Sequence, residues 1–447
     1  MIRLPLLGHT RPDQIVAWHQ GRAITVARFL SDVYELANQL PPRQYLLNMC
    51  GDRYRFAVGL AAAIVSGKVS LLPSTHTPEM VRQMQAFAPD VFCLHDTPNC
   101  SIALPQFCYP EPSAAVGVDA VVPMIDSEQL IAVVFTSGST GTPVPHQKYW
   151  GALVQSVLAE AERIGLSDRA PAHTVVGTVP PQHMYGFEST VLIALLSGHA
   201  LSSAHPFYPA DIVAALEEMP VPRILVSTPV HLRMLLDSGL KLPEVAQILS
   251  ATAPLSLHLA QEVEARFGAP LQEIYGCTET GTLATRRPTQ TAEWRLFAGV
   301  KLSRQEELVT ASGGHVAQPI VLNDVIEPTH DDCFLLHGRT AEMINIAGKR
   351  SSLAHLNHLL NAIAGVVDGA FYMPDGMSHD HVVRLAACVV APTLTAPQVL
   401  SALREHIDPV FFPRPLIFVE ALPRNSTGKL PHEALKNLIQ TRLGDRS

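Results

Sequence analysis

Short apolar runs that stop at small polar residues recur along the chain. Tyr45-Leu46-Leu47-Asn48-Met49, Val69 to Pro73, Val91 to Leu94 and Ile131 to Phe135 read as buried strands. Between and around them lie segments with helical periodicity: Gln14 to Ala37, Arg53 to Ser66 and Trp150 to Ile164. Strand–turn units follow at Val175 to Pro180, Ile224 to Pro229, Gln247 to Leu255 and Leu271 to Gly281. The last quarter predicts a helix over Ser351 to Ala364, a strand over Val382 to Val390, a helix over Pro397 to His406 and a strand over Leu416 to Val419. Strands alternating with helices predict layered α/β sheets, followed by a smaller α/β unit. No internal repeat stands out.

Composition narrows the function classes. The 447 residues exceed one typical domain, and 47% hydrophobic content is ample for large cores. A net charge of −8, without any block of like charge, argues against general nucleic-acid binding. The seven cysteines show neither paired nor metal-like spacing, so reduced thiols in a cytoplasmic protein are expected. Met1-Ile2-Arg3-Leu4-Pro5 does not read as a signal peptide. The longest apolar stretch, Phe56 to Val65, is too short to cross a bilayer. No membrane insertion is expected.

Candidate chemistry sits where the apolar runs end. After Phe135 comes Thr136-Ser137-Gly138-Ser139-Thr140-Gly141-Thr142-Pro143. Backbone N–H groups and hydroxyls in such a loop can wrap phosphate oxygens, because glycine permits close approach. The loop lacks the Gly-Lys-Ser/Thr of the common P-loop. Taken alone it reads equally as a polar surface loop. A second cluster is Tyr275-Gly276-Cys277-Thr278-Glu279-Thr280-Gly281. Here an aromatic ring can stack on a base, a hydroxyl can bond phosphate, and a carboxylate can hold Mg²⁺. The third is Leu422-Pro423-Arg424-Asn425-Ser426-Thr427-Gly428-Lys429, near the C-terminus.

Thr-Ser-Gly-Ser-Thr-Gly-x-Pro, Tyr-Gly-x-Thr-Glu and the Lys429 motif, in this order, resemble the adenylate-forming superfamily of acyl-CoA synthetases, peptide-synthetase adenylation domains and luciferases. The resemblance covers nearly the whole chain. It implies a large N-terminal adenylation domain, residues 1–338, which binds ATP and a carboxylic acid. A small mobile lid domain, 339–447, carries the catalytic lysine. The implied nucleotide and phosphate contacts are Thr136, Ser137, Gly138, Ser139, Thr140, Gly141, Ala253, Tyr275, Gly276, Asp324 and Arg339. Glu279 is the implied Mg²⁺ ligand and Thr278 the hydroxyl on the α-phosphate. Lys429 would bridge the reacting carboxylate and the α-phosphate. His183, Tyr185, Gly186 and Thr228 are the implied acid pocket.

Several positions depart from the family pattern. Val144 stands where a lysine usually follows the loop's proline. Lys148 is a candidate substitute for it, against the alternative of an ordinary surface lysine. Ala251-Thr252-Ala253 replaces a glycine pair, Asn323 precedes Asp324 in place of glycine, and Ala341 occupies the usual hinge position. Gly348 matches a glycine that lets a pantetheine arm approach. Within the superfamily, the His183 to Ser189, Pro206 to Asp211 and Tyr275 to Gly281 stretches look most like compact synthetases of aryl-polyene and xanthomonadin-type pigment clusters. Those are thought to activate a hydroxyaryl acid and load it onto an acyl carrier protein. The implied partners are therefore a carboxylic acid, Mg·ATP, and either a holo-acyl carrier protein or coenzyme A. A non-catalytic relative that only binds nucleotide or a partner is the alternative from another class.

Overall fold

The computed structural model describes residues 2–444 apart from 74, 112–120, 137–143, 167–171, 306–307, 340–342, 347–348, 374–383 and 426–427. Two large sheets organise the chain. The first has six strands in the order Val144–Tyr149, Leu130–Thr136, Val69–Leu72, Tyr45–Asn48, Phe92–His95, Gln106–Cys108. All neighbours are parallel except the edge pair Val144–Tyr149 and Leu130–Thr136. The second has eleven strands, with a parallel centre of Leu271–Cys277, Gln247–Ser250, Arg223–Ser227, Thr174–Gly177, Ala200–Ser202 and Ile15–His19. Antiparallel strands flank that centre on both sides.

The continuous apolar runs follow from burial on both faces. In Arg223–Ser227, Ile224 and Val226 face one core while Leu225 faces another; Val175 and Val176 divide likewise. In the six-stranded sheet, Leu46 and Leu47 also point to opposite cores. The central core lies between the two sheets. It holds helices Val26–Gln39, Arg53–Val65 and Trp150–Arg163, with the helical segment 184–196. Helix Arg53–Val65 is buried almost all round, which explains its lack of a polar face. Helices Pro209–Glu217, Pro229–Asp237 and Leu257–Phe267 cover the outer face of the larger sheet, and Pro78–Phe87 that of the smaller. The layers therefore alternate helix, sheet, helix, sheet, helix.

From Ile344 onward the chain builds its own cores. Helices Leu353–Asn361, Ala396–Arg404 and His432–Gly444 pack with a three-stranded sheet of Asp368–Tyr372, Ala386–Val390 and Leu416–Phe418. These clusters hold no residue from the preceding 343.

One predicted element is corrected. The helical reading of Gln14 to Ala37 fails over its first half, where Ile15–His19 and Arg22–Thr25 form an antiparallel hairpin. Gln20 and Gly21 turn it with φ of 50° and 73°. The helix starts only at Val26, capped by the Thr25 hydroxyl, which accepts from Arg28 N–H. The Gln-Gly turn outweighs the apolar spacing there.

Candidate active site

Parallel strands deliver their chemistry at their carboxyl ends, and an open α/β sheet leaves its crevice there. Five predicted segments meet this condition: Thr136, the stretch from Gly177 to His183, Ser227-Thr228, Ser250 to Ala253, and Cys277 to Glu279. Thr136 ends its strand directly opposite Val144, so the Ser137–Pro143 loop leaves and re-enters the sheet at neighbouring positions. Ser137, Gly138, Ser139, Thr140 and Gly141 lie outside the described residues, as do Ala341 and Gly348.

The Thr278–Glu279 turn is bound to the other sheet by two side chains of the strand that follows the loop. His146 Nε2 lies 3.0 Å from Thr136 Oγ1 and 3.7 Å from Glu279 Oε1. Lys148 Nζ donates to the Thr278 carbonyl and, at 3.5 Å, to the Glu279 carbonyl. Lys148 is 7% exposed, so it is no surface lysine. Its ammonium is committed to the carbonyls of the carboxylate-bearing turn. Burial lowers its pKa, opposed by the charges of Glu188, Cys277 and Glu279. The Glu279 side chain is 35% exposed. Burial works against its ionisation, but hydrogen bonds from its own N–H and from Cys277, with the His146 and Lys148 charges, hold its pKa below the ordinary value. An open cleft of about 420 Å³ adjoins the turn, lined by Phe87, Pro145, His146, Gln147, Glu279 and Ile320.

Tyr275, Asp324 and Arg339 converge beside that turn. The Tyr275 hydroxyl donates to Asp324 Oδ2 at 2.7 Å. Asp324 pairs with Arg339 in the strand register. Tyr275's ring packs in the core against Trp294 and Phe334, with centroids 5.7 and 5.5 Å away. Gly276 is needed for close approach: a Cβ there would lie 2.3 Å from the Gly281 carbonyl oxygen. Ala253 follows Thr252, which takes φ of +79°, so a threonine adopts the conformation glycine ordinarily supplies.

His183, Tyr185, Gly186 and Thr228 sit at and just beyond the carboxyl ends of two neighbouring parallel strands, Thr174–Gly177 and Arg223–Ser227, in different capacities. His183 caps the helix start, its Nδ1 accepting from Tyr185 N–H at 3.3 Å. Gly186 is a packing residue, since a Cβ would sit 2.1 Å from the Pro180 carbonyl oxygen. Thr228 is fully buried and caps helix Pro229–Asp237; its Oγ1 lies 3.0 Å from His231 Nδ1. Tyr185 is buried, and the Glu160 charge acts on it.

Lys429 arrives from the C-terminal part. Arg424 makes a bidentate pair with Asp368, both bonds 2.7 Å, and also donates to the Gly428 carbonyl at 3.0 Å. Asn425 Oδ1 accepts from Lys429 N–H at 2.9 Å. Gly428, with φ of +79°, brings this loop against Val230 and Thr228. Lys429 thereby lies near enough to His183 for its charge to act there. Burial first, and that charge second, push the imidazole down to about 4. His183 is therefore neutral at pH 7.

Three residues not singled out from the sequence enter this neighbourhood, His146, Glu160 and Glu188; Lys148, which was, enters it through its carbonyl bonds. A polar Pro-His-Gln-Lys run after a glycine-rich loop hinted at His146 and Lys148. Nothing local marked the glutamates.

The AMP-binding enzyme profile matches residues 44–313. A 4-coumarate–CoA ligase of Rhodobacter capsulatus is 30% identical over 266 residues, covering 58% of this chain and 66% of the relative. A 4-coumarate–CoA ligase of Halorhodospira halophila is 29% identical, covering 66% and 73%. The chain thus spans about two thirds of these relatives. Among solved structures, the AMP complex of O-succinylbenzoate coenzyme A synthetase from Bacillus subtilis superposes with TM-score 0.81 at 17% identity, covering 98% of both chains. ATP-bound MatB from Rhodopseudomonas palustris gives 0.80 at 17%, covering 97% and 96%. The fold is that of the adenylate-forming enzymes, and the chain belongs to the AMP-binding enzyme family.

Proposed function

We propose that this protein activates a carboxylic acid with ATP and passes the acyl group to a thiol. The observation that carries the reading is the seating of the Lys429 loop against Val230 and Thr228, where the Lys429 charge acts on His183. In the first step an acid oxygen bonds to the α-phosphorus of ATP as the bond from that phosphorus to pyrophosphate breaks. Acyl-AMP forms and pyrophosphate leaves. Positioning and charge neutralisation are the main protein contributions. Lys429 supplies positive charge between the acid and the α-phosphate. His183, being neutral, walls the acid without competing for its carboxylate. Asp324, Tyr275 and Arg339 form the nucleotide side, with Thr278 on the phosphate. In the second step a thiolate sulfur bonds to the acyl carbon, the carbon–oxygen bond to AMP breaks, and AMP leaves.

Magnesium fits this turn. Glu279 offers an accessible carboxylate held ionised, and Mg²⁺ ordinarily takes one or two protein carboxylates beside substrate phosphates. Among the described residues no group of three or more His, Cys, Asp or Glu could hold a metal ion. When bound, the ion neutralises phosphate charge.

The acid proposed is a hydroxyaryl acid such as a hydroxybenzoate, and the acceptor the phosphopantetheine of an acyl carrier protein. Coenzyme A presents the same arm, and the relatives' names favour it as the second reading. No helix among the described residues is long and apolar enough to cross a membrane. The division into a 1–338 body and a mobile 339–447 lid belongs to the same proposal, supported by the separate C-terminal cores.

Acid-dependent ATP–pyrophosphate exchange tests the reading. Hydroxybenzoates, 4-hydroxycinnamate, benzoate and medium-chain fatty acids form the panel, and Lys429→Ala the control. Exchange with one acid class is expected, reduced at least ~100-fold in Lys429→Ala. ATP binding without exchange for any acid would favour the binding-only alternative. Faster thioester formation with free CoA than with holo-carrier protein would settle the acceptor as CoA.

A further inference from the structure

Two carboxylates meet in the central core behind the candidate site. Glu160 comes from helix Trp150–Arg163 and Glu188 from the helical segment 184–196; they are 0% and 3% exposed. Thr282, on the strand leaving the Glu279 turn, places its Oγ1 3.2 Å from Glu160 Oε2 and 3.2 Å from Glu188 Oε2. One hydroxyl proton serves only one of them. Burying two such groups costs several kcal/mol each unless they are compensated. One charge is answered by the Lys148 ammonium, which interacts with Glu188. The other is removed by protonation, as burial pushes Glu160 up to about 8.

Purely structural buried networks are ordinarily satisfied throughout. This one is not. Ser189 lies beside Glu160 and Ser156 beside Glu188, near enough to favour their charged forms, yet Glu160 Oε1, Ser156 Oγ and Ser189 Oγ are buried with no partner in good hydrogen-bond geometry. Gly281 borders this cluster closely: a Cβ there would lie 3.0 Å from Glu188 Oε1 and 3.4 Å from Ser156 Oγ, so only glycine lets the backbone pass this near the carboxylate. The backbone is also unusual here. Residues Phe187–Leu192 form a π-helical stretch, which buries Glu188, Ser189 and Thr190 consecutively. Such stretches are rare and concentrate at functional sites. The cluster touches the candidate site at both ends, through Tyr185 beside Glu160 and through Lys148 at the Thr278–Glu279 carbonyls.

We infer that Glu160, Glu188, Ser156 and Thr282 form a subsite that receives a hydroxyl group carried by the acid substrate. This rests on the acid-activation reading and names the feature by which the acid is selected. A hydroxyl both donates and accepts. A carboxylate oxygen accepts the hydrogen bond from its O–H, and a serine hydroxyl donates to its oxygen. An unsubstituted or methoxy acid leaves the glutamates unanswered. A second carboxylate is repelled.

The test is kcat/KM for exchange with 4- and 3-hydroxybenzoate, their methoxy analogues and benzoate. It is run on wild type, Glu188→Gln and the milder Ser156→Ala and Thr282→Val, with unfolding curves for each. Wild type is expected to prefer at least one hydroxy acid over its methoxy and unsubstituted counterparts by at least ~100-fold, because a site built for a hydroxyl rejects analogues lacking it. Ser156→Ala and Thr282→Val are expected to lower the hydroxy acid at least ~5-fold while benzoate holds. Equal activity on all three acid types would overturn the subsite, as would variants that lower every acid alike. Exchange with fatty acids only would overturn the subsite and leave adenylation standing. Silence with every acid would overturn both.

Discussion

Two loops of the candidate site carry a charged side chain, and they are held in opposite ways. The Thr278–Thr280 turn is clamped from inside. Its strands, Leu271–Cys277 and Gly281–Arg286, belong to the eleven-stranded sheet, and a buried lysine from the other sheet donates to its carbonyls. The Arg424–Lys429 loop is held from outside. Its shape comes from Arg424, whose pair with Asp368 leaves both side chains about one-quarter exposed. Gly428 meets the large body at Val230 and Thr228. In the two-step proposal the carboxylate that must hold still is tied to the core, and the lysine that must arrive is carried by a part with its own core clusters. The contrast supports the two-step proposal, in which the C-terminal part moves between steps.

The largest expected effect tests the inner clamp. Lys148→Met removes the one cation that, among the described residues, donates to the Thr278–Glu279 carbonyls, and leaves Glu188 without its compensating charge. Breaking a buried charge pair by removing one member costs about 3–5 kcal/mol. Chemical unfolding should show a loss of that size, and exchange should require more Mg²⁺ for half-maximal rate. An unchanged unfolding midpoint would mean that the turn stands without Lys148. The pairing would then be incidental.

The outer loop should respond in the reverse manner. Gly428→Ala puts a Cβ on a residue at φ +79°, a strain of about 1–2 kcal/mol, and 3.1 Å from Val230 Cγ2. The loop can shift on its own unit, so global stability should hardly change. Lys429 would be displaced, and exchange should fall about 10-fold while transfer from preformed acyl-AMP persists. A parallel loss of stability would show that the loop is as tightly integrated as the turn.

The same contrast separates what the sequence made legible from what it did not. Leu271 to Gly281 and Leu422 to Lys429 are contiguous, so a strand, its turn and the charged side chain could be read together. Asp324 and Arg339 were placed by the family resemblance, and the strand register sets them opposite each other. The layered sheets followed from apolar runs buried on both faces. The sequence left Lys148 open between a surface lysine and a substitute for the loop's missing lysine; burial excludes the first, and that burial depends on a turn 130 residues later. Glu160 and Glu188 each sit in an apolar helix, and only the packing of two helices against Thr282 brings them together. Ile15 to Thr25 was lost to a turn whose strength outweighs the helical spacing around it.

The smallest expected effect concerns pH and the core under the inner clamp. Burial raises Glu160 to about 8 and Glu188 to about 7, from ordinary values near 4.5. Between those limits the folded state holds protons that the unfolded chain has released. The unfolding free energy therefore declines as pH rises, by at most about 1.4 kcal/mol per pH unit for each proton retained. Below about 4.5 both states are protonated and this penalty disappears. Glu160→Gln is neutral throughout and should flatten the decline between pH 5 and 8, leaving a less negative slope than wild type. Denaturant unfolding at four or five pH values measures it. His183 contributes with the opposite sign at the acid end: its depressed pKa means stability is lost as pH falls from 6.5 towards 4. His183 is common to both proteins and adds the same slope to each, so the difference between the two slopes reports the carboxylate pair, most directly above about pH 7.5, where an unfolded histidine is largely neutral.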